Sequence, residues 1–357
     1  MAAVLPTLLL AGCGGTLDPT PEQNAIRFGA GSTLLQDENV TKTSTPLSDP
    51  VVFGVFAYRY SWNTDRKPSF MFNQSVSFNG SAYSYSPTRY WPGSDKLNFW
   101  AYSPYSASPD LRVANSNTTF TSNSKSLPDI NVTVDGHTDY RVTNLVQNQT
   151  YRNTNSGYNG TVLMPFNHTL SLIDVNVDKD DSSDHYTVTM KSVRFDGLYM
   201  AGLLRWDSSG NTWDWASLSG SRQNITVWAD DPGTNSDDVV LVHSSDIAHS
   251  NAISLTSTPS TKLMLLPQSL NDDACRLHVE FTLGYTTHDD VLDVDVEHNV
   301  ETSRDVYLRD VFAGLTDVTW LKNNHYTLTI TISPNKPILF TVSWSSWGDA
   351  HNYFLSN

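Results

Sequence analysis

The sequence predicts an all-β protein that folds as two β-sandwich domains in tandem. Its 357 residues exceed what one ordinary hydrophobic core holds. Hydrophobic residues make up 39% of the chain and charged residues 17%, so a packed core is expected rather than disorder. The aromatic content of 16 Tyr, 14 Phe and 10 Trp suits half-buried β-surface. Glutamate, a good helix former, occurs at only five positions.

The first twelve residues have the pattern of a signal peptide that ends in a lipobox. A short apolar run leads into Leu10-Ala11-Gly12-Cys13, in which small residues precede a cysteine. We therefore expect removal of residues 1–12 and lipidation of Cys13. No Lys or Arg precedes Arg27, so we expect the natural chain to begin upstream of Met1. Residues 13–23, rich in Gly, Thr and Pro, are predicted to form a tether from the lipid.

Strand-like segments separated by turn residues recur from residue 26 onward. In the first half they include residues 51–58, 69–78, 97–102, 141–146, 161–166, 171–177 and 186–195. Residues 106–125, which are mainly Ser, Thr and Asn, are expected to form a long surface loop or irregular excursion. Residues 171–177 and 186–195 are expected to pair through a solvated turn.

The pattern begins again after Tyr199. Predicted strands of the second half are residues 224–228, 239–243, 262–266, 276–282, 291–296, 326–332 and 338–344. The second of two cysteines, Cys275, is expected to be a small buried apolar residue. Residues 303–312 are the best candidate for a short helical turn. We expect an N-terminal domain of residues 24–200 and a C-terminal domain of residues 201–357.

Several segments together resemble the fimbrillin-like proteins of Bacteroides-type bacteria. The resemblance is carried, in order, by the lipobox and by residues 72–76, 83–92, 97–105, 166–171, 197–202, 265–268 and 326–330 with Trp344 and Trp347. It implies two transthyretin-like sandwiches in a lipoprotein of the outer membrane. It also implies a subunit, tip or anchor of a type V pilus (fimbrium) that acts in cell adhesion, with other pilus subunits as partners.

In that family a trypsin-like protease removes the first strand, and a strand of the next subunit fills the vacated groove. The segment Asn24, Ala25, Ile26, Arg27 and Phe28 stands where the exchangeable strand is implied. Lys42 stands where the family usually has the arginine of the cleavage site. An uncleaved chain would suit an anchor or a tip. The physical basis is strand addition to an open sheet edge.

The sequence gives little support to catalysis, and no catalytic residue, metal site or cofactor is predicted. It contains no HExxH motif, Cys/His cluster, phosphate-binding glycine loop or GxSxG motif. Residues 178–184 imitate a calcium loop but have serine in place of the glycine, and a hairpin turn is the simpler interpretation. The net charge of −15 disfavours nucleic acid as a partner.

Trp206, Trp213 and Trp215 raise a second hypothesis, because indole faces can stack on sugar rings. The same cluster could instead cap a core or form a subunit contact. The alternative to a pilus component is therefore a stand-alone surface lipoprotein that binds a host or bacterial glycan. An enzyme is the third alternative, since the many carboxylates could include a glycosidase pair.

Overall fold

The computed structural model describes residues 24–30, 50–59, 67–93, 95–157, 160–180, 186–230, 240–241, 252–256, 261–333 and 337–347. These residues are nearly all in β-strands and their connections, which confirms the predicted fold class. Within these ranges the helical segments are α1 (Leu308–Val311), inside the stretch predicted to form a helical turn, and a 3-10 turn at Thr316–Val318.

The strands of the first half are β1 (Arg27–Ala30), β2 (Val52–Arg59), β3 (Met71–Phe78), β4 (Tyr83–Ser84), β5 (Leu97–Ser103), β6 (Leu111–Val113), β7 (Pro128–Thr133), β8 (Arg141–Thr143), β9 (Val146–Gln149), β10 (Thr161–Met164) and β11 (Phe166–His168). Those of the second half are β12 (Ser171–Lys179), β13 (Tyr186–Asp207), β14 (Thr212–Ala229), β15 (Val240–Leu241), β16 (Ile253–Ser254), β17 (Leu263–Leu265), β18 (Arg276–Asp289), β19 (Val294–Tyr307), β20 (Asn324–Ile332) and β21 (Leu339–Ser346).

Four sheets form within the described residues. Sheet I is the parallel pair β1–β10. Sheet II has the order β11-β8-β5-β2-β3-β4, with β9 also on β5. Sheet III has the order β16-β12-β20-β21, with β17 also on β12. Sheet IV has the order β19-β18-β13-β7-β6, with β14 and β15 also on β13.

The central strands of sheet II are buried on both of their faces. In β2, residues Phe53 to Tyr58 are all buried, and so is every residue of β5. Successive side chains of a strand point to opposite faces. Accordingly Phe53 packs in a smaller core beneath sheet I, whereas Phe56 packs in the large core that sheets III and IV share. Sheet II therefore joins the two cores of the molecule, and its central strands read as continuous apolar runs for that reason.

Residues 104–140 leave sheet II and return to it. Within this excursion β6 and β7 form a hairpin that adds to sheet IV through the pairing of β7 with β13. Leu111 and Phe120 are buried in the large core. Of the two alternatives for residues 106–125, a surface loop or an irregular excursion, the burial of Leu111 and Phe120 therefore favours the excursion. The polar sequence concealed the hairpin because only a few of its residues contact the core.

The pairing of one pair of strands differs from expectation. The anticipated pairing of residues 171–177 with 186–195 is wrong: β12 pairs in parallel with β20 in sheet III, whereas β13 pairs with β18 in sheet IV. The expected domain boundary at Ala201 falls inside the 22-residue strand β13. We propose instead a boundary between β11 and β12, where the chain passes from sheet II to sheet III.

Trp213 forms a joint between the two halves of the chain. Its ring is 2% exposed and lies 5.2 Å from the ring of Trp100 in sheet II. Its indole N–H donates a 3.0 Å hydrogen bond to the carbonyl oxygen of Thr143. The ring of Trp100 in turn stacks on Phe56 at 4.3 Å. One aromatic stack thus runs from the β13–β14 hairpin into sheet II.

We expect Trp213→Ala to lower the free energy of unfolding by about 3–5 kcal/mol, because it empties a buried aromatic site. Trp344→Ala is the matched control, since this indole on β21 is 53% exposed and its loss should change stability by about 0.5 kcal/mol or less. Urea unfolding measures both variants. Equal losses in the two would contradict a joint at Trp213.

Candidate functional site

The candidate site is the groove that holds the first strand. It has two backbone walls, residues 89–91 and residues 160–164. Along the first wall, the Ile26 amide donates to the Arg89 carbonyl at 2.9 Å and the Trp91 amide donates to the Asn24 carbonyl at 3.0 Å. Residues 24–26 therefore pair with a segment more than 60 positions away in the chain.

From Arg27 onward, the first strand pairs with the second wall instead of the first. The Arg27 amide donates to the carbonyl of Gly160 at 2.9 Å, and β1 then pairs in parallel with β10, in the register of Arg27 with Thr161 and Ala30 with Met164. The structure thus places the strand proper at Arg27–Ala30, shifted toward the C-terminus relative to the implied segment of residues 24–28. The implied residues 24–26 form the entry to the groove.

Alternate side chains of the first strand fill the core of this half. Ile26 and Phe28 are buried, whereas Arg27 between them is exposed. The ring of Phe28 lies 6.4 Å from Phe53 and 5.8 Å from Phe99, in both cases edge to face. Burial of two side chains of this size stabilises the fold by about 3–6 kcal/mol in total. That is comparable with the whole stability of a typical domain, about 5–15 kcal/mol.

The side chains of Tyr85 and Trp91 form hydrogen bonds that hold the first strand and the two walls together. The Tyr85 hydroxyl donates to the Ile26 carbonyl at 2.9 Å, and its ring lies 5.5 Å from that of Phe28. Burial raises the pKa of Tyr85 to about 12, so the hydroxyl stays protonated near neutral pH. The Trp91 indole N–H donates to the Gly160 carbonyl at 3.3 Å and so connects the two walls.

On the outer edge of β10, the backbone amide and carbonyl of Leu163 hydrogen-bond to a side chain instead of a neighbouring strand. The Asn155 amide group donates to the Leu163 carbonyl at 2.8 Å and accepts from the Leu163 amide at 2.9 Å. Among the described strands β10 therefore has β1 as its one strand partner. If β1 departs, the inner edge of β10 loses its backbone hydrogen bonds, and a groove lined by aromatic rings opens.

The three tryptophans of the glycan hypothesis are packed into the molecule. Trp213 is buried in the large core, and Trp206 lies 5.6 Å from it and packs against the same core. The indole N–H of Trp215 donates to the Thr169 carbonyl at 2.6 Å. Packing at the junction of the two halves accounts for the cluster, and Trp213 offers no free ring face for a sugar.

Several other predicted sites have the following placement. Cys13, Lys42 and residues 181–184 of the calcium-like segment lie outside the described residues. Cys275 is buried with a free thiol, as its sequence context predicts, and burial raises its pKa. In the described part of the chain no group of three or more His, Cys, Asp or Glu residues is placed to hold a metal ion. No helix of that part is long and apolar enough to span a bilayer.

Sequence reasoning missed the two walls of the groove. Residues 83–92 are among the segments that carry the family resemblance, but nothing local in their sequence indicates that they line the first strand. The alternation of Ile26, Arg27 and Phe28 was the signal available for the strand itself.

Comparison with known proteins agrees with this architecture. The family model described as fimbrillin-like matches residues 43–347, so the chain belongs to the fimbrillin-like family. The fimbrium subunit Fim1C of Phocaeicola vulgatus is 29% identical over 201 residues, which are 50% of this chain and 52% of that protein. The match thus spans about half the length of that curated relative.

Two solved structures are similar to this chain. A fimbrial protein from Bacteroides vulgatus superposes with a TM-score of 0.62 at 21% sequence identity, covering 90% of this chain and 99% of that one. A candidate cell adhesion protein from Bacteroides uniformis has a TM-score of 0.49 at 15% identity, covering 92% and 100% of the two chains. The first of these likenesses supports the fold, and the second carries no further argument.

We expect Phe28→Ala to lower the free energy of unfolding by about 3–5 kcal/mol, because the cavity would lie in the smaller core. Arg27→Ala, on the exposed face of the same strand, should change it by about 0.5 kcal/mol or less. Chemical denaturation at neutral pH gives both values. A large loss in Arg27→Ala, or none in Phe28→Ala, would contradict the inward orientation of Phe28.

We expect the stabilising effect of Tyr85 to decline at high pH. Its pKa is raised in the fold, so its contribution is fully present below the unfolded value near 10 and is lost as pH rises through about 12. Tyr85→Phe lacks the ionisable hydroxyl and the hydrogen bond to Ile26. The stability difference between wild type and Tyr85→Phe should be constant from pH 7 to about 9 and shrink above about 10. A difference that grows over that range would contradict the assignment.

Proposed function

We propose that this protein is a subunit of a surface fimbrium and that it joins its neighbours by exchanging its first strand. The observation that carries the proposal is the groove: residues 24–30 lie between two walls and insert Ile26 and Phe28 into the smaller core. A strand from a neighbour with apolar residues at alternate positions could satisfy the same backbone groups and fill the same core. Membership of the fimbrillin-like family and the fimbrium subunit among its relatives support this role.

The energetics favour exchange over an open groove. Once β1 leaves, the edge of β10 and the aromatic rings around Phe28 would meet water, and the lost burial approaches the stability of a domain. The groove would therefore be refilled quickly, either by the departing strand or by another. Only separation of β1 from the rest of the chain makes the neighbour's strand the lasting occupant.

Cleavage after Lys42 would provide this separation. Lys42 lies between β1 and β2 in the sequence, so a cut there would break the covalent link between the first strand and sheet II. The family match begins at Thr43, the residue that this cut would make the new N-terminus, and β1 lies before the matched range. Lipidation at Cys13 would hold the uncleaved precursor at the outer membrane.

The test is limited trypsin digestion followed by N-terminal sequencing and electron microscopy. The expected product begins at Thr43 and forms fibres, whereas Lys42→Ala stays intact at that bond and forms no fibres. A product that starts at Thr43 yet remains monomeric with β1 still bound at every concentration would overturn strand exchange.

A synthetic peptide of residues 24–30 provides a second test. It should occupy the groove of cleaved subunits and stop fibre growth when present in excess. The same peptide with Ala in place of Phe28 lacks the main anchor and should inhibit at least about tenfold less well, since one buried side chain of this size corresponds to such a factor. Equal inhibition by the two peptides would contradict insertion of Phe28.

A further inference from the structure

The hairpin of β18 and β19 extends beyond sheet IV as an arm. The pairing of β18 with β13 ends where Tyr285 faces Tyr186, but β18 and β19 remain paired for four more residues on each strand. Among the described strands, β19 has β18 as its one neighbour and leaves its outer edge open. We call residues 285–300 the arm.

The end of the arm is apolar. Val291 is 91% exposed and Leu292 67% exposed, at a turn where small polar residues are usual. Both amides donate to the Asp289 carboxylate, at 2.9 and 3.1 Å, which fixes the turn. Valine side chains continue from this tip along one face of β19: Val294, Val296 and Val300 are all more than one third exposed. Exposed apolar side chains grouped in this way are typical of an interaction site.

The tip is surrounded by negative charge. Five carboxylates lie between residues 289 and 297, and the stretch from 277 to 303 contains no Lys or Arg. Among the described residues, Asp290, Asp293 and Asp295 have ion-pair contacts only with His288. The surface that best complements the arm therefore combines apolar groups with arginine or lysine side chains.

This chain carries such charge in its other half. Residues 24–168 contain 11 Lys and Arg and 9 Asp and Glu, a net charge of +2, whereas residues 169–357 contain 11 and 26, a net charge of −15. Arg89 and Arg152 are exposed and form no ion pair with a described carboxylate. Arg89 belongs to the first wall of the groove, and Arg152 follows Tyr151, whose carbonyl accepts the amide of Gly160 in the second wall.

We propose that the arm of one copy docks beside the groove of a second copy, with its apolar tip at Val291 and Leu292 against that copy and the surrounding carboxylates facing Arg89 and Arg152. Such a contact is head to tail, because the arm and the groove are different surfaces, and a head-to-tail contact extends into a filament. The inference rests on the proposed function in that the second copy is the next subunit. The contact positions that subunit before its strand enters, and it needs no cleavage.

The test is sedimentation velocity on the uncleaved protein over a range of concentrations, which measures docking without strand exchange. Wild type should self-associate, more weakly as salt rises from about 0.1 M to about 1 M and the Debye length falls from about 10 Å to about 3 Å. Leu292→Ser should reduce the association constant at least about tenfold. The matched control is Leu339→Ser, which removes a side chain of similar exposure, 61%, from β21 and should leave association unchanged.

Charge reversal tests the partner surface. Asp290→Lys with Asp293→Lys, and separately Arg89→Glu with Arg152→Glu, should each abolish association, and mixing the two proteins should restore it. Asp310→Lys, a reversal on exposed α1 outside the arm, should have no effect. Circular dichroism before each run confirms that the variants are folded. A wild-type monomer at every concentration, or arm variants that associate like wild type, would overturn the inference.

Fibre formation after cleavage separates this inference from the proposed function. Fibres that grow at the same rate from wild type and Leu292→Ser would contradict docking by the arm while leaving strand exchange intact. Association that depends on the arm, in a protein whose cleaved form never yields fibres, would support docking and contradict strand exchange.

Discussion

The fold depends on the burial of sheet II on both faces. Its central strands, β2 and β5, have almost no exposed residue, and they present one set of side chains to the groove of the first strand and the other to the large core. Phe53 and Phe99 contact the first strand from one face. Phe56 and Trp100 contact the excursion and Trp213 from the other. Removing either cover would expose a full apolar layer, so burial of sheet II requires both the first strand on one face and the junction of the two halves on the other.

The first strand covers one face of sheet II with very few residues. It is short, it lies apart from β2 in the sequence, and it contributes two large side chains to a small core. The walls of its groove are also held by contacts that do not involve this strand: Asn155 along β10 and Trp91 across the two walls. An empty groove would expose apolar side chains and unpaired backbone groups to water. Under the proposed strand exchange, this free-energy cost is what would favour tight binding of a neighbour's strand.

The sequence predicted the positions of the strands better than it predicted which strands pair with each other. Alternation and aromatic content indicated most strands, and the strands predicted at residues 326–332 and 338–344 lie close to the bounds of β20 and β21. Sheet membership was not predictable, since β12 and β13 have similar patterns yet enter different sheets, and the parallel partner of β12 lies about 150 residues away. The hairpin in residues 104–140 was hidden by polar residues. A strand as long as β13 was not predictable from the sequence, because strands usually end within ten residues.

For the site, family resemblance indicated the first strand, whereas local pattern could indicate neither its walls nor its exact bounds. The most direct measurement of the central claim is an electron cryo-microscopy map of fibres assembled from cleaved protein. The account predicts a strand from the adjacent subunit along β10, with an apolar side chain at the place of Phe28 between Phe53 and Phe99. Fibres in which residues 24–30 of each subunit still occupy their own groove would contradict it.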